Sequence, residues 1–286
     1  MEDKFKVVSI HFTTVCNYNC PFCYKAKTNK MMDKDLFLGL PAYLKEITDQ
    51  VALGGGEPLL FPRLVNAFAK RCKDNNLICN LTTNGSTIEK IPKRWLKHLT
   101  MISISFDKSK IKTNKDVVRY VEATKKVREA GVGVGCNLLI DEWMFKDLRF
   151  IRLVDFLMKH VDRVFALYPK SAYTVDILPF KHYYQFLSMR YKHFYVDDLT
   201  LEILQQGYTD WKKPCHYGKD IISIDEEGFV TGCSFDSQKQ AVIKIEKPID
   251  IMKIKKIKFK ERFACPYLAR HGLHEDEHRI RIGSGG

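Results

Sequence analysis

The sequence predicts an α/β protein, a partial (β/α)6 TIM-like barrel with a small α+β domain at its C-terminal end. Three observations carry this. Apolar, β-branched segments alternate with helix-periodic ones over residues 6–169, with short connections; such alternation returns every strand in the same direction and so builds a parallel sheet. The chemically unusual residues fall where strands end, which is where parallel α/β folds collect their chemistry. From residue 215 the pattern changes to short strands around a tight turn.

Taken in order, KVVSIHFT (6–13) is the first strand and DLFLGLPAYLKEIT (35–48) has helical spacing that Pro41 interrupts or restarts. QVALGGG (50–56) runs a second strand into glycines, RLVNAFAKRCKDN (63–75) is a helix, and LICNLTTNG (77–85) is the third strand. A short helix near 92–98 precedes MISISFD (101–107); KDVVRYVEATKKVREAG (115–131) is an amphipathic helix with a glycine stop. VGVGCNLLI (132–140), DLRFIRLVDFLMKH (147–160) and RVFALYP (163–169) complete the sixth unit. The barrel is placed at 1–180, an aromatic-rich connecting helical segment at 181–210, the small domain at 211–273, and a charged tail with a terminal GSGG linker at 274–286.

The chain has 286 residues, 45% hydrophobic, with nine cysteines and a net charge of +13. No run of eighteen apolar residues occurs, and MEDKFK leads straight into a strand, so neither a membrane span nor a secretory signal is expected and a cytoplasmic location is. In that compartment structural disulfides are rare, so the cysteines need another use. Residues 108–128 carry eight Lys or Arg against two acids, and 239–262 nine against three. These stretches read as solvated faces; the other reading is a surface for an anionic partner such as nucleic acid.

Cys16, Cys20 and Cys23 lie within eight residues in the loop after the first strand. Three thiolates suit an iron–sulfur cluster with one iron left open, whereas zinc would want a fourth Cys or His close by. CNYNCPFC, with the aromatic Phe22 before the last cysteine, resembles the signature of radical S-adenosylmethionine (SAM) enzymes. Gly55, Gly56, Glu57 and Pro58 resemble the family's GGEP segment, which implies binding of the cofactor's methionine amino group, with flexible glycines for close approach and a carboxylate for an ammonium. Thr83 and Asn84 (with Thr82), Ser103, Ser105, Asp107 and Asn137 resemble positions that contact the cofactor's carboxylate or ribose; relatives often follow such an aspartate with glycine, where this chain has Lys108. The resemblance implies SAM, a 4Fe–4S cluster on Cys16, Cys20 and Cys23, an electron donor such as flavodoxin or ferredoxin, and a 5′-deoxyadenosyl radical that abstracts hydrogen from substrate, a form of oxidoreductase chemistry.

CHYGKDIISIDEEGFVTGC reads as cysteine, strand, turn, strand, cysteine, with Cys265 following. It resembles a Twitch domain, the shorter relative of SPASM, and implies an auxiliary 4Fe–4S cluster on Cys215, Cys233 and Cys265. The fourth iron is either completed by His216, Asp236, His271 or His274 or left open for substrate. Cys72, Cys79 and Cys136 read as core thiols. The expected activity is oxidative or bond-forming modification of a peptide or protein side chain; the alternatives are radical transformation of a small anionic metabolite or nucleotide, and RNA modification.

Overall fold

Val8, Ile10 and Phe12 place three apolar side chains on one face of the first strand, and that face sets the layering. The computed structural model describes residues 4–141, 144, 148–167, 178–196, 201, 217–236 and 238–260. In it β1 (Val7–His11) buries these side chains under α1 (Lys34–Gly39) and α3 (Pro62–Asp74). Phe12 stacks on Phe37 at 4.6 Å, and Phe37 on Phe68 at 4.2 Å. Asp33 caps α1, accepting from the Asp35 and Leu36 N–H groups at 2.9 Å. Pro41 opens a separate short helix, α2 (Pro41–Leu44), because proline is tolerated in a first turn but not in a helix interior.

The parallel strands β2 (Gln50–Gly54), β3 (Ile78–Thr83), β4 (Met101–Phe106), β5 (Gly133–Leu139) and β6 (Arg163–Leu167) follow β1 in register, with α4 (Asn114–Glu129) and α5 (Arg149–His160) on the outer face. The mixed α/β architecture with its parallel sheet is the one expected. After α6 (Leu178–Arg190) comes a further parallel strand, β7 (Phe194–Val196), paired with β6. The sequence placed this stretch in a connecting helical segment, since three residues are too few to show a period of two.

The C-terminal hairpin, β8 (Ile221–Ile224) and β9 (Phe229–Thr231), lies in the same sheet. β8 pairs in parallel with β1, Ser9 opposite Ser223, and β10 (Ile243–Lys244) pairs with β9. The strand order is β10-β9-β8-β1-β2-β3-β4-β5-β6-β7. The hairpin thus continues the barrel sheet and gives β1 a partner on what would be an open edge. Gly228 makes the turn at φ +83°, where a Cβ would also strike the Ile245 carbonyl. Among the described residues no helix is long and apolar enough to cross a membrane.

Four cations of the first basic stretch have carboxylate partners. Lys108, Lys110, Arg119 and Arg128 each sit against a carboxylate, of Asp141, Asp107, Asp116 and Asp162. Pro248–Lys256 forms a 3-10 segment that buries Ile251 and Ile254 and turns its lysines outward.

Candidate active site

The cysteine loop leaves β1 through a pinned neck. Thr14 donates its N–H to the Lys30 carbonyl at 2.9 Å, Lys30 returns its N–H to Thr14 Oγ1 at 2.9 Å, and Thr13 Oγ1 donates to the same carbonyl at 3.0 Å. Within the loop, the Tyr18 N–H donates to Cys16 Sγ at 3.4 Å, and the Cys23 N–H to the Cys20 carbonyl at 3.1 Å, closing a turn between two of the thiols. Cys16 and Cys20 are half-buried and Cys23 is exposed.

The glycine segment after β2 is bonded to this neck. Gly56 N–H donates to the Thr13 carbonyl and Glu57 N–H to the Val15 carbonyl, both at 2.7 Å. A Cβ at Gly55 would overlap the Thr13 carbonyl, and one at Gly56 the Val15 carbonyl. The glycines are therefore what lets the two loops touch backbone to backbone. Glu57 is fully buried. Its Oε1 accepts from Leu59 N–H at 2.8 Å and Thr83 Oγ1 at 2.7 Å, and its Oε2 from Asn84 N–H at 2.7 Å. Burial pushes its carboxyl above the ordinary value against the pull of these three donors. The Glu57 side chain thereby ties the protein's own loops together. Asn84 in turn donates to Asn17 Oδ1 at 2.9 Å, and Asn17 to Ser86 Oγ at 2.8 Å. Glu57, Thr83, Asn84 and the cysteine loop are thereby one hydrogen-bonded frame.

Ser103, Ser105 and Asn137 lie on the concave face of the sheet, where Asn137 Nδ2 reaches over β4 to Thr82 Oγ1 at 3.3 Å. Strands two apart can touch in this way only on a concave face. The opposite face packs on helices, as Phe106 does edge-on against Tyr120 at 5.1 Å. Asp107 is 3% exposed and occupied internally: it accepts from Ser109 N–H at 2.9 Å and pairs with the buried Lys110, whose ammonium lies 5.1 Å from the Phe22 ring centroid. Pro58 is buried at the start of a 3-10 turn.

Sequence reasoning missed Ser9 and His11, which share the concave face of β1; His11 Nε2 lies 3.1 Å from Ser9 Oγ. It also missed the docking of the cysteine loop on the hairpin. Tyr24 lies 4.3 Å from Phe235, Lys30 pairs with Glu227 at 2.9 Å, and burial lowers the Lys25 ammonium against the pull of Glu226 and Asp225. Tyr24, itself exposed, neighbours the thiols of both Cys23 and Cys233. Cys215 and Cys265, together with His216, His271 and His274, lie outside the described residues; Cys233 is half-buried beside the turn.

Among the described residues no three His, Cys, Asp or Glu side chains converge as a single metal ion requires. A cubane binds each thiolate to a different iron, so three separated thiols on one pinned loop, one N–H already directed at sulfur, fit a cluster. Residues 10–143 match the model of the Radical SAM superfamily. The chain carries a radical SAM domain. The superfamily binds SAM and a 4Fe–4S cluster, and Cys16, Cys20 and Cys23 lie within the matched residues. The GTP 3′,8-cyclase of Campylobacter jejuni subsp. doylei is 32% identical over 132 residues, 41% of each chain. That of Sulfurovum sp. is 24% identical over 280 residues, 85% of this chain and 83% of the relative. The structure of anSMEcpe with bound AdoMet and a Cp18Cys peptide superposes with a TM-score of 0.63 at 15% identity, over 94% of this chain and 82% of that one. The Campylobacter match thus spans about two fifths of that relative's length.

Proposed function

We propose that this protein is a radical SAM enzyme that oxidises, or forms a bond at, a side chain of a peptide or protein, drawing its electron from a carrier such as flavodoxin or ferredoxin. Bound on the Cys16 loop and glycine frame, the cluster and SAM would supply radical initiation and hydrogen abstraction from a substrate carbon. The chain's own part is to hold that loop rigid through Thr13, Thr14, Gly56 and Glu57, and to receive substrate on the concave face.

The observation that carries the substrate class is the chemistry of that face. Among its described positions are Ser9, His11, Asn80, Thr82, Ser103, Ser105 and Asn137, with Phe165 stacked on Tyr195 at 5.4 Å. The described strands carry two cations, Arg163 at the amino end of β6 and Lys244 in β10 at the far edge of the sheet. Lys110 already faces Asp107. A triphosphate wants several free cations; amides and carbonyls match uncharged hydroxyl and amide groups. An auxiliary cluster on Cys215, Cys233 and Cys265 belongs to the same proposal, with Cys233 beside Tyr24 at the rim.

Similarity to the GTP 3′,8-cyclases favours a second reading, radical rearrangement of a nucleotide. The test is anaerobic reconstitution with SAM and dithionite, counting 5′-deoxyadenosine. Stimulation by an acetylated, amidated peptide pool and not by GTP supports the first reading. The reverse pattern replaces it with the second. No 5′-deoxyadenosine from the wild type, with release unaltered by Cys16→Ala, sinks both.

A further inference from the structure

The side chain of His11 is 4% exposed, yet its Nδ1 is buried with no hydrogen-bond partner among the described residues. Nε2 is accounted for by Ser9 Oγ at 3.1 Å. Asn80, on the same concave face through the register Ser9–Ala52–Asn80, has a buried Oδ1 in the same condition. Buried polar atoms in native structures are nearly always paired, so each exception asks what completes it. No described side chain bonds the Nδ1 edge of the imidazole. Its neighbour in register is Gly54, where even a Cβ would stand 3.4 Å from His11 Cδ2, and Tyr24 stands off at 6.2 Å between ring centroids.

We infer that His11 is a substrate-binding residue whose Nδ1 hydrogen-bonds an uncharged polar group of the substrate (amide, carbonyl or hydroxyl) inside the barrel. This rests on the radical SAM reading above. Burial, with Lys25 adding to it, lowers the imidazole to about 3, so it is neutral at neutral pH and offers one donor and one acceptor. If Ser9 donates to Nε2, Nδ1 carries the proton and donates; if Ser9 accepts, Nδ1 accepts. Either tautomer suits an amide or a hydroxyl, and neither gives a phosphate a cation. Position fits the role as well. His11 is two residues before Thr13, whose carbonyl anchors the glycine segment, so a group held at Nδ1 lies beside the frame that holds the thiols.

The test uses the reconstituted holoenzyme and two variants, His11→Gln and the double variant Ser9→Ala/His11→Leu. The double variant removes both ends of the Ser9–His11 bond together with the unpartnered nitrogen. Replacing paired polar groups by apolar ones of similar shape is near neutral or stabilising, so its Tm is expected to equal the wild type or exceed it by up to about 4 °C. In parallel, 5′-deoxyadenosine release is titrated with GTP and with the acetylated, amidated peptide pool. The half-stimulating concentration of the effective probe should rise at least ~10-fold in the double variant, with partial recovery in His11→Gln. A Tm lowered by more than about 4 °C in both variants would show a structural imidazole with Nδ1 filled by a fixed water, and overturns the inference. An unchanged half-stimulating concentration does the same. A wild type that releases no 5′-deoxyadenosine tells against the radical reading, while the thermal comparison still decides for His11.

Discussion

Glu57 accepts the backbone N–H of Asn84 at 2.7 Å, joining the end of β2 to the end of β3 through a buried carboxylate. The same side chain takes Thr83 and Leu59, and the backbone of Glu57 is bonded to Val15. A residue whose motif position points at a ligand is here the tie between three loops. Glu57→Gln keeps the volume but points an amide donor at one of those N–H groups. It should cost about 1–3 kcal/mol, the penalty for an unsatisfied buried partner. Urea unfolding measures the loss, and iron content per chain should fall with it.

Gly56→Ala tests the backbone contact between the loops. Its Cβ has to displace the Val15 carbonyl and so break the 2.7 Å bond that this carbonyl accepts from the Glu57 N–H. The expected loss is about 3 kcal/mol or more, together with most of the iron. Gly131→Asn is the control: that position has φ +75° and nothing near its Cβ, and Asn tolerates the left-handed region. Its iron content should match the wild type.

The Asp107–Lys110 pair is buried on both sides, next to Phe22. Lys110→Met leaves the Asp107 carboxylate without its cation and should cost about 3–5 kcal/mol, whereas Asp107→Asn/Lys110→Met should recover most of it. A double variant as unstable as the single one would show that the pair is not what holds this rim.

Iron and sulfide per chain test the auxiliary site. Two cubanes give about eight irons in the wild type and about four in Cys215→Ala/Cys233→Ala/Cys265→Ala. About four in both would leave Cys233 as a thiol that packs beside Tyr24 and Phe235.

Much of the fold was legible because β1 to β5 largely alternate apolar with small or polar residues and β6 is a short apolar run, with Gly or Pro nearby. What was not legible is non-local. The pairing of Ser9 with Ser223 joins segments more than 200 residues apart, and nothing in IISI says it lies against β1 rather than in a separate sheet. The Cys16 loop and Gly55–Pro58 were located by motif, but a motif gives position and not direction, so the inward turn of Glu57 was missed. His11 could have been found. The run Val8, Ile10, Phe12 alternates with Ser9, His11, Thr13, and a period of two puts the histidine on the face away from the helices.

That histidine also sets a pH dependence. Its folded value is lowered to about 3 by burial and by Lys25, with Tyr24 the other titratable group facing it, while the unfolded chain titrates near 6.5. Between those values the unfolded state binds the proton and the folded state does not. Stability from this site is therefore complete above about pH 6.5 and is lost as pH falls towards 3, with a slope of up to about 1.4 kcal/mol per pH unit. Thermal unfolding of wild type and His11→Gln from pH 4 to 7 isolates the contribution, because the other titrating groups are common to both. The wild-type curve should fall more steeply below pH 6.5, and the difference should close above it. Parallel curves would mean that His11 is protonated in the folded protein, with Lys25 displaced to admit the charge.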